Sequence, residues 1–223
     1  MSLLLNIETS TTLCSVSIAK EGKIIAVKEI NEGYTHAENL HVFIEEVLKK
    51  SGKTPKDLNA IAVGGGPGSY TGLRIGVSAA KGLAFALQIP LIAVNTLQTM
   101  TAAAISKNRS DLLYCPMLDA RRMEVYTAIF DSDLNTVKET SPQIISEDDL
   151  SFFNKGKAIC FFGDGMPKCK DLLKKIPLSS FMDDITPSSS ALAELAWQKH
   201  QKGQFEDVAY FEPFYLKNFM INK

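Results

Sequence analysis

The sequence predicts an α/β protein of two related subdomains, each a mixed sheet flanked by helices. Strand-like runs alternate with helical ones from residue 3 to residue 94, the pattern of a sheet with parallel members covered by helices. A strand, an acidic turn and a second strand then recur at 112–131 as they occur at 3–20, with Glu8 and Asp119 in matching places. The 223 residues, 45% apolar and 22% charged, suffice for a substantial core. The expected subdomains are 1–104 and 105–223, with the tail of the second packing back on the first.

Each element follows from local chemistry. Residues 3–7 and 14–20 read as strands around a Thr/Ser-rich turn at 9–12, and Gly22 turns the chain into a third strand at 23–30. Leu40, Phe43, Ile44, Val47 and Leu48 share one face of a helix that Ser51-Gly52 ends. Burying these side chains is worth about 7 to 15 kcal/mol before entropy is subtracted, so the helix must be docked. A strand at 60–63, a glycine-rich turn, an apolar helix over 71–87 and a strand at 91–94 complete the first unit. In the second, 112–118, 124–131 and 158–162 read as strands and 188–202 as a helix, and the aromatic tail at 210–216 is strand-like.

Composition removes several classes of function. A net charge of −1 without a dense Lys/Arg block gives no global drive toward nucleic acid. Cys14, Cys115, Cys160 and Cys169 lack the paired spacing of a zinc site and are expected as reduced, buried thiols. No basic-then-apolar leader is present, and the apolar run at 75–87 is interrupted by Ser78 and Lys81, so a cytoplasmic protein without a membrane segment is expected. No Gly-x-Ser-x-Gly elbow or zincin frame supports a hydrolase. His36 and His41 are five apart rather than four, and no metal site is assigned.

Two features remain as candidates for chemistry. The run Gly64-Gly65-Gly66-Pro67-Gly68-Ser69-Tyr70-Thr71-Gly72 joins a strand to a helix without matching the Walker or dinucleotide fingerprint. It reads either as a tight turn or as a site for a phosphate or a partner chain, because glycines admit close approach and helix N-termini favour anions. Glu8-Thr9-Ser10-Thr11 follows the first strand where a phosphate loop of an actin-type ATPase has Asp-x-Gly-Thr/Ser. Here the glycine is missing and the carboxylate is one methylene longer, which leaves a locally satisfied turn beside a working phosphate loop as readings. Along the following helix Gly72, Gly76, Ala80 and Ala84 form a stripe of small residues, suited either to the Leu40 helix or to a subunit interface.

Ile7-Glu8-Thr9-Ser10, His36-Ala37-Glu38-Asn39-Leu40, Gly66-Pro67-Gly68-Ser69-Tyr70-Thr71-Gly72-Leu73-Arg74-Ile75-Gly76, Asp119-Ala120-Arg121 with Glu124-Val125-Tyr126, and Pro213-Phe214-Tyr215-Leu216 occur together and in this order. On these segments the chain resembles the bacterial TsaB (YeaZ) family over nearly its whole length. The resemblance implies an actin-like fold of the ribonuclease H-like class. It also implies a non-catalytic role, with the partners TsaD and TsaE, in making threonylcarbamoyladenosine at position 37 of tRNA. Where the sister protein TsaD has the metal-binding Asn-His-Leu-Glu-Gly-His, this chain has Asn95-Thr96-Leu97-Gln98-Thr99-Met100.

By the same resemblance Glu8, Thr9, Ser10, Gly66 and Gly68 are remnants of phosphate loops, and no cofactor belongs to the chain itself, although a nucleotide at the TsaD joint stays open. Contact with TsaD falls to the first two helices, with His36, Leu40, Arg74, Gly76, Ala80 and Ala84 as interface residues. Ala80→Arg is then expected to leave a folded chain that no longer captures TsaD. tRNA is expected to be met only through the complex, and the free chain could pair with itself through the same helices. The rival reading is an autonomous actin-like ATPase or kinase.

Overall fold

Two five-stranded sheets carry the chain in the computed structural model, which describes residues 2–33, 35–148, 150–153 and 156–216. The first sheet has the order β3-β2-β1-β4-β5, from β1 (Leu3–Glu8), β2 (Cys14–Lys20), β3 (Lys23–Ile30), β4 (Ala60–Gly64) and β5 (Leu91–Val94). The second has the order β10-β9-β6-β7-β8, from β6 (Leu113–Asp119), β7 (Glu124–Phe130), β8 (Thr136–Ile144), β9 (Ile159–Phe162) and β10 (Ser179–Met182).

The two sheets repeat one plan. Central β1 pairs antiparallel with β2 and parallel with β4, and β4 continues parallel to β5. Central β6 likewise pairs antiparallel with β7 and parallel with β9, and β9 continues parallel to β10. Every residue of β1 is buried, because helices cover both faces of the sheet, whereas β3 at the edge is mostly open. The duplication read from Glu8 and Asp119 is therefore a duplication of topology.

Among the described residues five α-helices complete the layers: α1 (His36–Ser51), α2 (Tyr70–Leu87), α3 (Thr96–Lys107), α4 (Lys170–Leu173) and α5 (Ser189–Gln201). Leu40, Phe43, Val47, Ala80 and Ala84 of α1 and α2 pack with Leu5, Ile7, Val16 and Val63 on the outer face of the first sheet. Leu192, Leu195 and Ala196 of α5 meet Leu4, Ala62 and Ile92 on its inner face. Leu97, Met100 and Ala104 of α3 pack with Tyr114, Leu118 and Phe162 of the second sheet. Because α3 and α5 also touch, they form a middle layer between the sheets. The far face of the second sheet is closed by Met166, Cys169 and Leu173.

Three expectations change. A boundary at 104 would cut through α3, whose apolar face belongs to the second sheet; the packing puts the division just before Thr96. Conversely α5 returns to the first sheet, tied there by Ser189 N–H to Ser15 Oγ (3.0 Å), Ser17 Oγ–H to Ser189 O (3.2 Å) and Lys199 Nζ to Ala93 O (2.7 Å). The tail at 210–216 is not a strand: it crosses α2 as an irregular strap, and 217–223 lie outside the described residues.

Candidate functional site

β1 and β4 are parallel neighbours, so their carboxyl ends deliver Glu8 and Gly64 side by side, where α/β sheets hold ligands. The Glu8 side chain is fully buried, and its Oε1 accepts the Ser10 N–H at 2.8 Å. Its Oε2 meets no hydrogen-bond donor among the described residues. Gly64 makes the room, since a Cβ there would lie 2.3 Å from Oε2. Burial pushes the Glu8 carboxyl above its ordinary range, opposed only in part by the Ser10 amide that its Oε1 accepts.

The rest of the first turn is clasped by α2. Thr9 Oγ1–H donates to Gly72 O at 2.8 Å, and Ser69 N–H donates to Ser10 O at 2.7 Å. A Cβ on Gly68 would stand 2.4 Å from Ser10 O, and one on Gly72 2.1 Å from Thr9 O. Ser69 caps α2 by accepting the Gly72 N–H at 3.3 Å. Thus Glu8, Thr9, Ser10 and Gly68 do meet in one place: α2 binds the Thr9 hydroxyl and the Ser10 carbonyl, while Glu8 Oε2 and Ser10 Oγ have no hydrogen-bond partner among the described residues. Gly66 stands beside them with φ +99°, its carbonyl accepting the Thr96 N–H at 2.9 Å.

Over this turn runs the strap. Lys81 Nζ holds Ala209 O (3.2 Å) and Phe211 O (2.8 Å), and Phe214 N–H donates to Gly65 O at 2.8 Å. Side chains at Gly66 would run into Phe214 O, 3.0 Å from a Cβ there. Tyr215 ends the strap against Tyr70, ring centroids 5.0 Å apart, and the Arg74 guanidinium lies 5.1 Å from the Tyr70 ring centroid. Sequence reading missed this cluster because Tyr215 lies far along the chain from Tyr70 and Arg74, which are one turn apart on α2.

The small-residue stripe faces inward. Gly76 packs on Thr9, whose Oγ1 would lie 2.2 Å from a Cβ there, and Ala80 and Ala84 belong to the first core. His36 and Leu40 are buried as well, the His36 Nε2 lying 2.7 Å from Thr11 O. Of the six residues expected at an interface, Arg74 alone is exposed, and His36, Leu40, Gly76, Ala80 and Ala84 are corrected to packing positions. The physical reason is that a smooth stripe lets α2 lie against a turn and a sheet, so no partner helix is required. What α2 turns outward is Thr71, Arg74, Ser78, Gly82, Phe85 and Ala86, with Phe85 79% exposed, and α1 adds Val42, 50% exposed.

At the start of α3, Asn95 Oδ1 accepts the Leu97 and Gln98 amides, and the side chains of Thr96 and Met100 are fully buried. Among the described residues no three of His, Cys, Asp and Glu are grouped to hold a metal ion, and no helix is long and apolar enough to cross a membrane.

Twin sheets of this order, with acidic turns at the ends of their central strands, define the actin-like fold, here with the first turn clasped by its own helix. Solved structures agree: YeaZ from Pseudomonas aeruginosa superposes with a TM-score of 0.83 at 26% identity, covering 97% of this chain and 100% of that one. The dehydratase component A of Acidaminococcus fermentans shares the fold with a TM-score of 0.51 at 11% identity, over 90% of this chain and 98% of that one. The family model described as TsaD, tRNA N6-adenosine threonylcarbamoyltransferase, matches residues 32–217. Two relatives named tRNA threonylcarbamoyladenosine biosynthesis protein TsaB are 32% identical (Escherichia coli, 96% of this chain and 94% of that protein) and 29% identical (Bacillus subtilis, 96% and 93%). The chain belongs to the TsaB (YeaZ) family, within the wider group that the TsaD model describes.

Proposed function

We propose that this chain is a non-catalytic subunit in the biosynthesis of tRNA threonylcarbamoyladenosine. In this reading it binds and activates TsaD, which with TsaE transfers the threonylcarbamoyl group from threonylcarbamoyl-AMP to adenosine 37 of tRNAs that read codons beginning with A. The observation that carries the reading is the fate of the two positions matched to TsaD's histidines. Thr96 and Met100 are sealed in the layer between the sheets, and neither a hydroxyl nor a thioether there replaces a pair of imidazoles. An actin-like body without that ligand pair acts through a surface.

The outward faces of α1 and α2 supply the surface. Phe85, Val42 and Ala86 give it apolar area, Gly82 and Ser78 let a helix approach, and Arg74 offers a charged edge. TsaD and any second copy of this chain would compete for it. A nucleotide at the joint would have to enter from the partner's side, because the turn of Thr9 and Ser10 is occupied by α2. The test is depletion of the chain in cells, followed by measurement of threonylcarbamoyladenosine in tRNA and capture of TsaD by the tagged chain. Loss of the modification with stoichiometric capture is expected. Intact modification, or turnover of ATP by the isolated chain at enzymatic rates, would reject it in favour of the ATPase reading.

A further inference from the structure

The hairpin tip between β6 and β7 carries arginines at positions where a tight turn favours glycine or asparagine. Arg121 and Arg122 are consecutive, exposed, and both left-handed, with φ of +70° and +47°. Glycine and asparagine take these conformations readily, whereas a long side chain is disfavoured in both. The tip is nonetheless held firmly: Ala120 N–H donates to Glu124 O (3.1 Å), Glu124 N–H to Arg121 O (3.1 Å) and Arg121 N–H to Asp119 Oδ1 (2.9 Å). Lys168 clamps the base of the hairpin, its Nζ bridging the Asp119 carboxylate and Glu124 O.

Charge at the tip follows from these contacts. Lys168 offsets Asp119, and Asp164 Oδ1 is turned back to accept the Asp119 N–H at 3.0 Å. Neither guanidinium makes a hydrogen bond or a close ion pair with a described residue; Arg121 feels Asp119 only at longer range. Two arginines are thus presented on an exposed, hydrogen-bonded turn in a chain whose net charge is −1. The tip belongs to the second sheet, whereas α1 and α2 pack on the first.

We infer that the Arg121-Arg122 tip is a contact for the phosphodiester backbone of RNA, each guanidinium taking one phosphate. Arginine suits that role because its planar fork matches two phosphate oxygens at once. Two exposed guanidiniums on adjacent residues fit phosphates spaced along a strand rather than a small enclosed anion. This inference rests on the reading above for the choice of RNA, and it replaces a purely indirect encounter with tRNA by a direct one.

The experiment measures binding of labelled tRNA to the full chain, alone and with TsaD, across a salt series. R121N/R122G keeps the left-handed turn and relieves it, so it is expected to melt no lower than the parent. Its slope of log K against log salt should be shallower by about 1.5, and its affinity at moderate salt lower by about an order of magnitude. R121K/R122K should restore most of both, since it keeps the charge. Equal affinity and slope for the parent and R121N/R122G, or no tRNA binding by the parent chain with or without TsaD, would overturn the inference. Capture of TsaD by R121N/R122G is expected to be unchanged. Its failure in the parent chain would strike the subunit reading instead, so the two fail separately.

Discussion

Thr9 and Gly76 are in mutual contact across 67 positions of sequence, the Thr9 Oγ1 lying 2.2 Å from where Gly76 would carry a Cβ. The hydroxyl is fixed there because it donates to Gly72 O, one turn earlier on α2. Gly76→Ala should therefore overpack the joint, since neither the helix nor the buried turn can give way cheaply. A helix gains up to about 1 kcal/mol from Gly→Ala, but the clash is expected to leave a net loss of about 1 to 3 kcal/mol. Urea unfolding of the two proteins measures the difference.

The two sides of α2 should respond in opposite ways. Ala80 is fully buried, so Ala80→Arg puts a charge into the first core; it should cost more than about 4 kcal/mol and give a chain that does not fold. Phe85 is 79% exposed in the last turn, where a lysine also complements the helix C-terminus. Phe85→Lys is expected to change stability by no more than about 0.5 kcal/mol and to weaken capture of TsaD about tenfold or more. Circular dichroism melts alongside capture titrations separate the effects.

How much of this was legible in sequence depends on whether the deciding contact is local. The α1 face of Leu40, Phe43, Ile44, Val47 and Leu48 was legible because its period is written in adjacent turns, and Gly52 marks the helix end with φ +65°. α3 was hidden by Thr96, Thr99 and Thr101, which weaken its helical signal, although Asn95 as an N-cap and Leu97, Met100 and Ala104 along one face were there to be found. The direction of the α2 stripe was not legible. Ile75, Ala79 and Leu83 make the flanks apolar as well, and the stripe's true neighbour, Thr9, lies in a turn that no helical period points to. The strap was mistaken for a strand because aromatic residues serve either role, and Lys81 holding its carbonyls is a contact between distant segments.

All four thiols should be silent in the native protein. Cys14, Cys115, Cys160 and Cys169 are free and buried, and burial pushes Cys14 up to about 11 and Cys115 to about 12, so almost no thiolate exists at neutral pH. A chromogenic disulfide added at pH 7.5 is expected to label none of them within minutes and all four once denaturant is present. Rapid native labelling would show that a core around β2, β6 or β9 opens readily.

Glu8 gives a pH dependence whose sign can be worked out. Its carboxyl ordinarily titrates near 4.5 and is raised in the folded chain, chiefly by burial. Between those values the folded state binds the proton more tightly than the unfolded chain does, so stability falls as pH rises through that window. The contribution is fully present below about pH 4.5 and lost above the folded value. Glu8→Gln keeps an oxygen for the Ser10 N–H and carries no charge. Its stability relative to the parent should therefore be lowest in acid and should improve steadily as pH rises toward neutrality. Denaturation midpoints of both proteins from pH 4 to pH 8 measure the gap. A constant gap across the range would mean that Glu8 is solvated in the folded chain, and that the turn clasped by α2 opens far enough to admit water.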